Sequence, residues 1–235
     1  VVSGQPYFGV TMGGVAYFSA DDRVHGRELW RSDGTPAGTY MLKDILPGPD
    51  ASYASSFIVS GSLVLFAADD GDLGVELWAT DGTAAGTRLV RDINRGPATS
   101  GPGNLLAFGG GVLFTATTAT EGYELWFSDG TTAGTRLVRD IRTGTASSAP
   151  YGFTQVGSIA MFSAVTDAAG RELWRTDGTT AGTTLVRNLD SAATSSLGTG
   201  SGAFAAYAGL LYFSANAGVN GAELWQSNGT FAGTA

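Results

Sequence analysis

Glu76-Leu77-Trp78-Ala79-Thr80-Asp81-Gly82-Thr83-Ala84-Ala85-Gly86-Thr87 is one of five copies of a single pattern, and that pattern decides the fold. The tripeptide Glu-Leu-Trp opens at Glu28, Glu76, Glu124, Glu172 and Glu223, so successive copies are 48, 48, 48 and 51 residues apart. Its tryptophans are Trp30, Trp78, Trp126, Trp174 and Trp225. Asp33, Asp81, Asp129 and Asp177 each follow three residues after their Trp and open an Asp-Gly-Thr; Asn228 takes that place in the last copy. The motifs span 28–39, 76–87, 124–135, 172–183 and 223–234, and a Phe precedes each in the same register, at Phe18, Phe66, Phe114, Phe162 and Phe213.

Working outward from the second copy, each unit reads as four short strands. The first lies around Phe57 to Val59, with a turn at Gly61-Ser62, and the second is Leu63 to Ala67. A polar loop, Asp69 to Gly74, leads to the third strand, Val75 to Thr80. Asp-Gly-Thr reverses the chain into a fourth strand, Arg88 to Ile93, and a Gly/Pro-rich loop, Asn94 to Gly103, leads onward. A constant offset of fifteen residues sets Glu28 opposite Lys43, Glu76 opposite Arg91, Glu124 opposite Arg139 and Glu172 opposite Arg187. Opposite charges facing across an antiparallel pair favour that register, which also places Leu29 against Leu42 and Trp30 against Met41.

Tandem four-stranded units of 40 to 50 residues mark a β-propeller, because a blade with two apolar faces must bury both against neighbours. The expected architecture is therefore all-β: a five-bladed β-propeller of four-stranded antiparallel blades, forming a single domain over 1–235. The fifth copy stops at Ala235, just inside its fourth strand, and the N-terminal strand at Val1-Val2 is expected to close the last blade. Ser3 then stands where other copies have a basic residue, leaving Glu223 without that partner.

These motifs resemble the bacterial family named for its ELWxxDGT repeat, and the resemblance extends over essentially the whole chain. Asn228 for Asp, and Asn188-Leu189 for the Asp-Ile of Asp44-Ile45, Asp92-Ile93 and Asp140-Ile141, are the departures. The resemblance implies a secreted or surface-exposed bacterial protein and no common activity.

Composition narrows the function classes. The net charge is −8, with 13 Lys and Arg against 21 Asp and Glu, which argues against nucleic acid as a partner. With no Cys there is no disulfide, thiolate zinc site or cysteine nucleophile. No apolar run approaches a membrane span, so direct membrane insertion is not expected. The chain opens on Val1 without an initiator Met, as a mature or partial product would.

His25 is the only histidine, so neither a triad nor a histidine metal cluster can be built. The recurring Trp suits packing between blades better than sugar stacking, and the recurring Glu suits a structural ion pair better than an acid catalyst. Asp-Gly-Thr-x-x-Gly-Thr has calcium-loop ingredients but reads more simply as a hairpin turn. Asp69, Asp70 and Asp72 are the densest acidic cluster and the weak calcium candidates, with Asp21-Asp22 their counterpart in the first copy; no other cofactor is expected. The segments Phe57 to Ser60, Leu105 to Phe108, Phe153 to Val156 and Phe204 to Tyr207 hold no carboxylate, which argues against catalysis in a central channel.

The functional expectation is a non-enzymatic extracellular or cell-surface module that binds a protein partner or joins a larger assembly. Its specificity would be written in the unlike loops Pro47 to Ser56, Asn94 to Gly103, Arg142 to Pro150 and Asp190 to Gly202. A multivalent carbohydrate-binding lectin is the alternative.

Overall fold

The structure is a computed structural model, and it describes residues 6–190, 195–198, 204–218 and 221–235. Nineteen strands are present among them, arranged in five antiparallel sheets, one to each copy of the motif. The first sheet runs in chain order through β1 (Tyr7–Met12), β2 (Val15–Asp21), β3 (Arg27–Ser32) and β4 (Tyr40–Lys43). The second repeats it with β5 (Ser55–Ser60), β6 (Leu63–Asp69), β7 (Val75–Thr80) and β8 (Arg88–Arg91). The third has β9 (Gly103–Phe108), β10 (Gly111–Thr118), β11 (Gly122–Ser128) and β12 (Arg136–Arg139). The fourth has β13 (Tyr151–Val156), β14 (Ile159–Thr166), β15 (Gly170–Thr176) and β16 (Thr184–Arg187). The fifth has three strands, β17 (Ala205–Tyr207), β18 (Leu210–Asn216) and β19 (Ala222–Ser227). Ala235 exchanges two backbone hydrogen bonds with Gln226 and so begins a fourth. Val1-Val2, the expected closing strand, and part of the Asp190–Gly202 loop lie outside the described residues.

Where the sequence reads as one domain over 1–235, the fold divides into two compact units. One comprises Val1–Thr118 with Ser128–Thr135, the other Ala119–Phe127 with Arg136–Ala235.

The constant distance from Phe to Trp in sequence becomes direct cross-strand pairing. Phe18 faces Trp30, Phe66 faces Trp78, Phe162 faces Trp174 and Phe213 faces Trp225. The third and fourth strands pair as expected at Trp30–Met41, but the ion-pair register beyond it is corrected. Leu29, not Glu28, lies opposite Lys43, and Leu77, Leu125 and Leu173 likewise lie opposite Arg91, Arg139 and Arg187. A β-bulge beside Trp30, Trp78, Trp126 and Trp174 inserts one residue into the fourth strand, and this one-residue slip separates Glu28, Glu76, Glu124 and Glu172 from their supposed partners.

The sheets pack by unlike faces. In the first unit, Tyr17, Leu29 and Leu42 of the first sheet share a core with Phe66 and Trp78 of the second. In the second unit, Met161, Leu173 and Val186 of the fourth sheet share one with Leu211, Phe213 and Trp225 of the fifth. In both pairs the earlier sheet offers a Leu-bearing face and the later sheet a face that carries its Phe and Trp. Burial of these large apolar side chains is the main stabilising contribution. Among the described residues, no helix is long and apolar enough to cross a membrane.

Candidate functional site

The recurring glutamates are the most unusual groups in the molecule, because four carboxylates sit at zero solvent exposure: Glu28, Glu76, Glu124 and Glu172. A buried carboxylate is costly unless its lone pairs are filled. Glu76 accepts hydrogen bonds from the backbone N–H groups of Ile93 (2.9 Å), Asn94 (3.3 Å) and Ser100 (3.1 Å), and from the Ser100 hydroxyl (2.6 Å). Glu28 accepts from the N–H groups of Ile45 and Ser52 and from the Ser52 hydroxyl. Glu124 is held by Ile141, Arg142 and Ser148, and Glu172 by Leu189 and Ser196. Each Glu therefore clamps the start and end of the loop that carries the chain to the next sheet. Burial raises the pKa of all four, and the hydrogen bonds pull the other way. Glu223 is exposed.

The basic residues that the bulge frees from Glu reach the following repeat. The Lys43 ammonium donates to the Thr87 carbonyl at 3.0 Å, and Arg91 does the same to Thr135. Arg139 donates to Thr183 and Arg187 to Thr234, each at 2.6 Å. The guanidinium carbons of Arg139 and Arg187 also lie 5.8 Å from the ring centres of Trp174 and Trp225, within cation–π range. Trp78, Trp126 and Trp174 are 6% exposed, while Trp30 and Trp225 are half-buried.

The Asp-Gly-Thr turns use their oxygens internally. Asp81 accepts from the N–H (2.9 Å) and the hydroxyl (2.7 Å) of Thr83, whose hydroxyl oxygen accepts from the Gly86 N–H. Asp33, Asp129 and Asp177 do the same in their copies, and so does the Asn228 amide oxygen. The Thr hydroxyl and backbone bonds hold Asp33, Asp81 and Asp177 below the usual carboxylate pKa. The second glycine of the turn is obligatory. A Cβ on Gly86 would fall 2.1 Å from the Asp81 carboxylate, and one on Gly233 would fall 2.1 Å from the Asn228 amide.

The acidic loops are likewise turned inward. Asp69 accepts from the Gly71 N–H, and Asp70 from those of Asp72 and Leu73. In the first copy Asp22 accepts from the backbone N–H and Nδ1 of His25, which lowers the Asp22 pKa to about 2 and raises that of His25. Among the described residues, no three or more His, Cys, Asp or Glu side chains are placed to share a metal ion.

Sequence reasoning missed the serines. Ser52, Ser100, Ser148 and Ser196 stand 24 residues after their glutamates in four successive copies, a signal as regular as the motif itself. It also missed Arg171, which is 9% exposed and donates to the Ala149 carbonyl and the Ser163 hydroxyl.

No family model and no curated protein matches this chain. Solved structures do. Puromycin hydrolase matches over 96% of this chain and 36% of its own, at 14% identity and a TM-score of 0.54. The acylaminoacyl peptidase of Pyrococcus horikoshii matches over 77% of this chain and 27% of its own, at 14% identity and a TM-score of 0.50. A prolyl endopeptidase matches over 74% and 24%, at 11% identity and a TM-score of 0.50. The chain thus spans between about a quarter and two-fifths of the solved chains it matches. The likeness is to their propeller domains, and at such identity it shows the fold alone: all-β and β-propeller-like. It overturns the expected role as an extracellular protein-binding or scaffold module, and the lectin alternative with it. The similar structures are parts of peptidases and a hydrolase, and they support a propeller fold without a binding role.

If the buried carboxylates are structural, their removal is costly at one copy and harmless at another. Glu76→Ala strands three N–H groups and a hydroxyl and is expected to cost about 3 kcal/mol or more in urea unfolding. Glu223→Ala is expected to change the unfolding midpoint little.

The raised pKa also fixes a pH dependence. A carboxyl whose folded pKa lies above its ordinary 4.5 contributes stability that is full below 4.5 and is lost as pH rises through the folded value. Glu76→Gln cannot ionise, so the stability of the wild type relative to this variant is expected to fall as the pH climbs above 4.5. Paired urea titrations from pH 4 to 8 measure it; a wild type that gains stability relative to the variant as pH rises contradicts the assignment.

Proposed function

We propose that this chain is a non-catalytic propeller domain of a larger hydrolytic enzyme whose reacting groups lie elsewhere in the polypeptide. The observation that carries the reading is the use made of the recurring polar groups. The four buried glutamates hold loops, and the turn aspartates hold their own backbone. Neither set presents a carboxylate free of such bonds for acid–base chemistry. The similar structures support the reading from a second side: a propeller accounts for part of each of those chains, and their names are those of peptidases and a hydrolase.

A five-bladed ring closed by the N-terminal strand is the finer architecture expected from sequence, and its closing strand falls outside the described residues. The connections from fourth strand to next first strand, 44–54, 92–102 and 140–150, each have eleven residues.

The test compares the 235-residue chain with the native polypeptide it comes from, using peptidyl anilides and aminoacyl amides as substrates. The isolated chain is expected to be inactive, and the native polypeptide to cleave them and to exceed 24.0 kDa. Turnover by the isolated chain, or a native protein of 24.0 kDa, overturns the proposal.

A further inference from the structure

Each of the first four repeats buries one hydrogen-bond donor and one acceptor that no protein group meets. The donors are the indole Nε1–H groups of Trp30, Trp78, Trp126 and Trp174. The acceptors are the Oδ1 atoms of Asp44, Asp92, Asp140 and Asn188, each fourteen residues after its Trp. Each such pair lies within one compact unit. A buried polar atom without a partner is costly, and its recurrence as a matched donor and acceptor in four repeats points to one common cause.

The strand register brings the two groups together. In the second repeat Trp78 lies opposite Leu89 and Leu77 opposite Arg91, so the chain beyond Arg91 runs on beside Glu76. The Ile93 N–H shows this directly by donating to the Glu76 carboxylate at 2.9 Å. Residues two apart on a strand share a face, and so do residues opposite one another, which sets Trp78, Glu76 and Asp92 on one face. Asp92 is there the diagonal neighbour of Trp78, a relation that a side chain as long as Trp can span. The Oδ2 atom of Asp92 accepts from the Gly96 N–H at 3.1 Å, which holds the carboxylate while its Oδ1 stays shut from solvent. Asp140 is held in the same way by Gly144.

The chemistry of the pair selects what joins them. An indole N–H only donates, and a carboxylate or carboxamide oxygen only accepts. The occupant therefore has to accept from one and donate to the other. A cation fails on the first count, because the indole turns a hydrogen toward it. Asn188 argues the same way, since a neutral carboxamide leaves the same atom unmet where three repeats have a carboxylate. A water meets both demands, and about two to four polar partners are what a buried water takes.

We propose that each of these four repeats holds one internal water, which accepts from the Trp Nε1–H and donates to the Oδ1 of the Asp or Asn fourteen residues on. The water ties the third strand to the start of the connecting loop, alongside the Glu clamp. These sites owe nothing to a hydrolytic role.

A crystal structure of the chain that resolves ordered waters is expected to place one within about 3.2 Å of both Trp78 Nε1 and Asp92 Oδ1, with its like in the other three repeats. A direct bond between Trp78 and Asp92, a cation, or no density between the two atoms overturns the proposal. In solution, rotating-frame NMR distinguishes a bound water beside the indole N–H from simple proton exchange by the sign of the cross-peak. The Trp78 indole is expected to show the bound-water peak, to keep it in Asp92→Asn, which retains the acceptor, and to lose it in Asp92→Leu. A peak that survives Asp92→Leu, or one that vanishes in folded Asp92→Asn, contradicts the assignment. If Asp92→Leu does not fold, the wild-type crystal structure and the Asp92→Asn spectrum decide.

Discussion

A carboxylate buried at zero exposure has to be satisfied, and in this chain that requirement shapes everything around it. The four buried glutamates take backbone N–H groups from near the start of the following loop and from a serine 24 residues on, so that stretch of the loop cannot drift without leaving a buried carboxylate unsatisfied. The clamp ends the fourth strand at Arg91, where the sequence reads on to Ile93, because the Ile93 N–H is committed to Glu76 rather than to a ladder. It also accounts for the period: copies joined through eleven-residue loops repeat every 48 residues, and the step of 51 falls where the loop after Arg187 differs.

Moving Glu out of the cross-strand pair leaves the basic residue free, and its new partner lies in the next repeat. A cation that donates to a carbonyl and stands over a Trp ring joins two sheets, whereas the same cation paired with Glu would have joined two strands of one. Adhesion between repeats is then mostly apolar contact of unlike faces, with one or two charge-assisted bonds fixing the register. Such an interface is directional, a Leu-bearing face meeting a face that carries Phe and Trp.

Much of this is legible in the order of the residues alone. The period, the Phe-to-Trp spacing and the Asp-Gly-Thr signal place β5 to β8 within a few residues, because strand length and turn chemistry are local properties. The apparent ion pairs between Glu and Lys or Arg mislead for a specific reason. A bulge adds one residue to one strand without altering composition or alternation, and a charge pattern with constant offset looks the same on either side of it. The serine at each Glu plus 24 is visible but silent, since nothing local links a strand residue to a loop so far along the chain. Function is the least legible part. A repeat whose recurring Glu and Asp-Gly-Thr groups are used to hold its own loops and turns leaves few residues that point outward to a substrate or partner.

Residue-resolved amide hydrogen exchange on the native chain tests the clamp most directly. The N–H groups of Ile45, Ile93 and Ile141, with those of Ser52, Ser100 and Ser148, lie in loops yet bond to buried carboxylates. They are expected to exchange as slowly as the central strands β6 and β14, far more slowly than other amides of the same loops. Exchange at ordinary loop rates would contradict the account, because the carboxylates would then be buried without holding the chain.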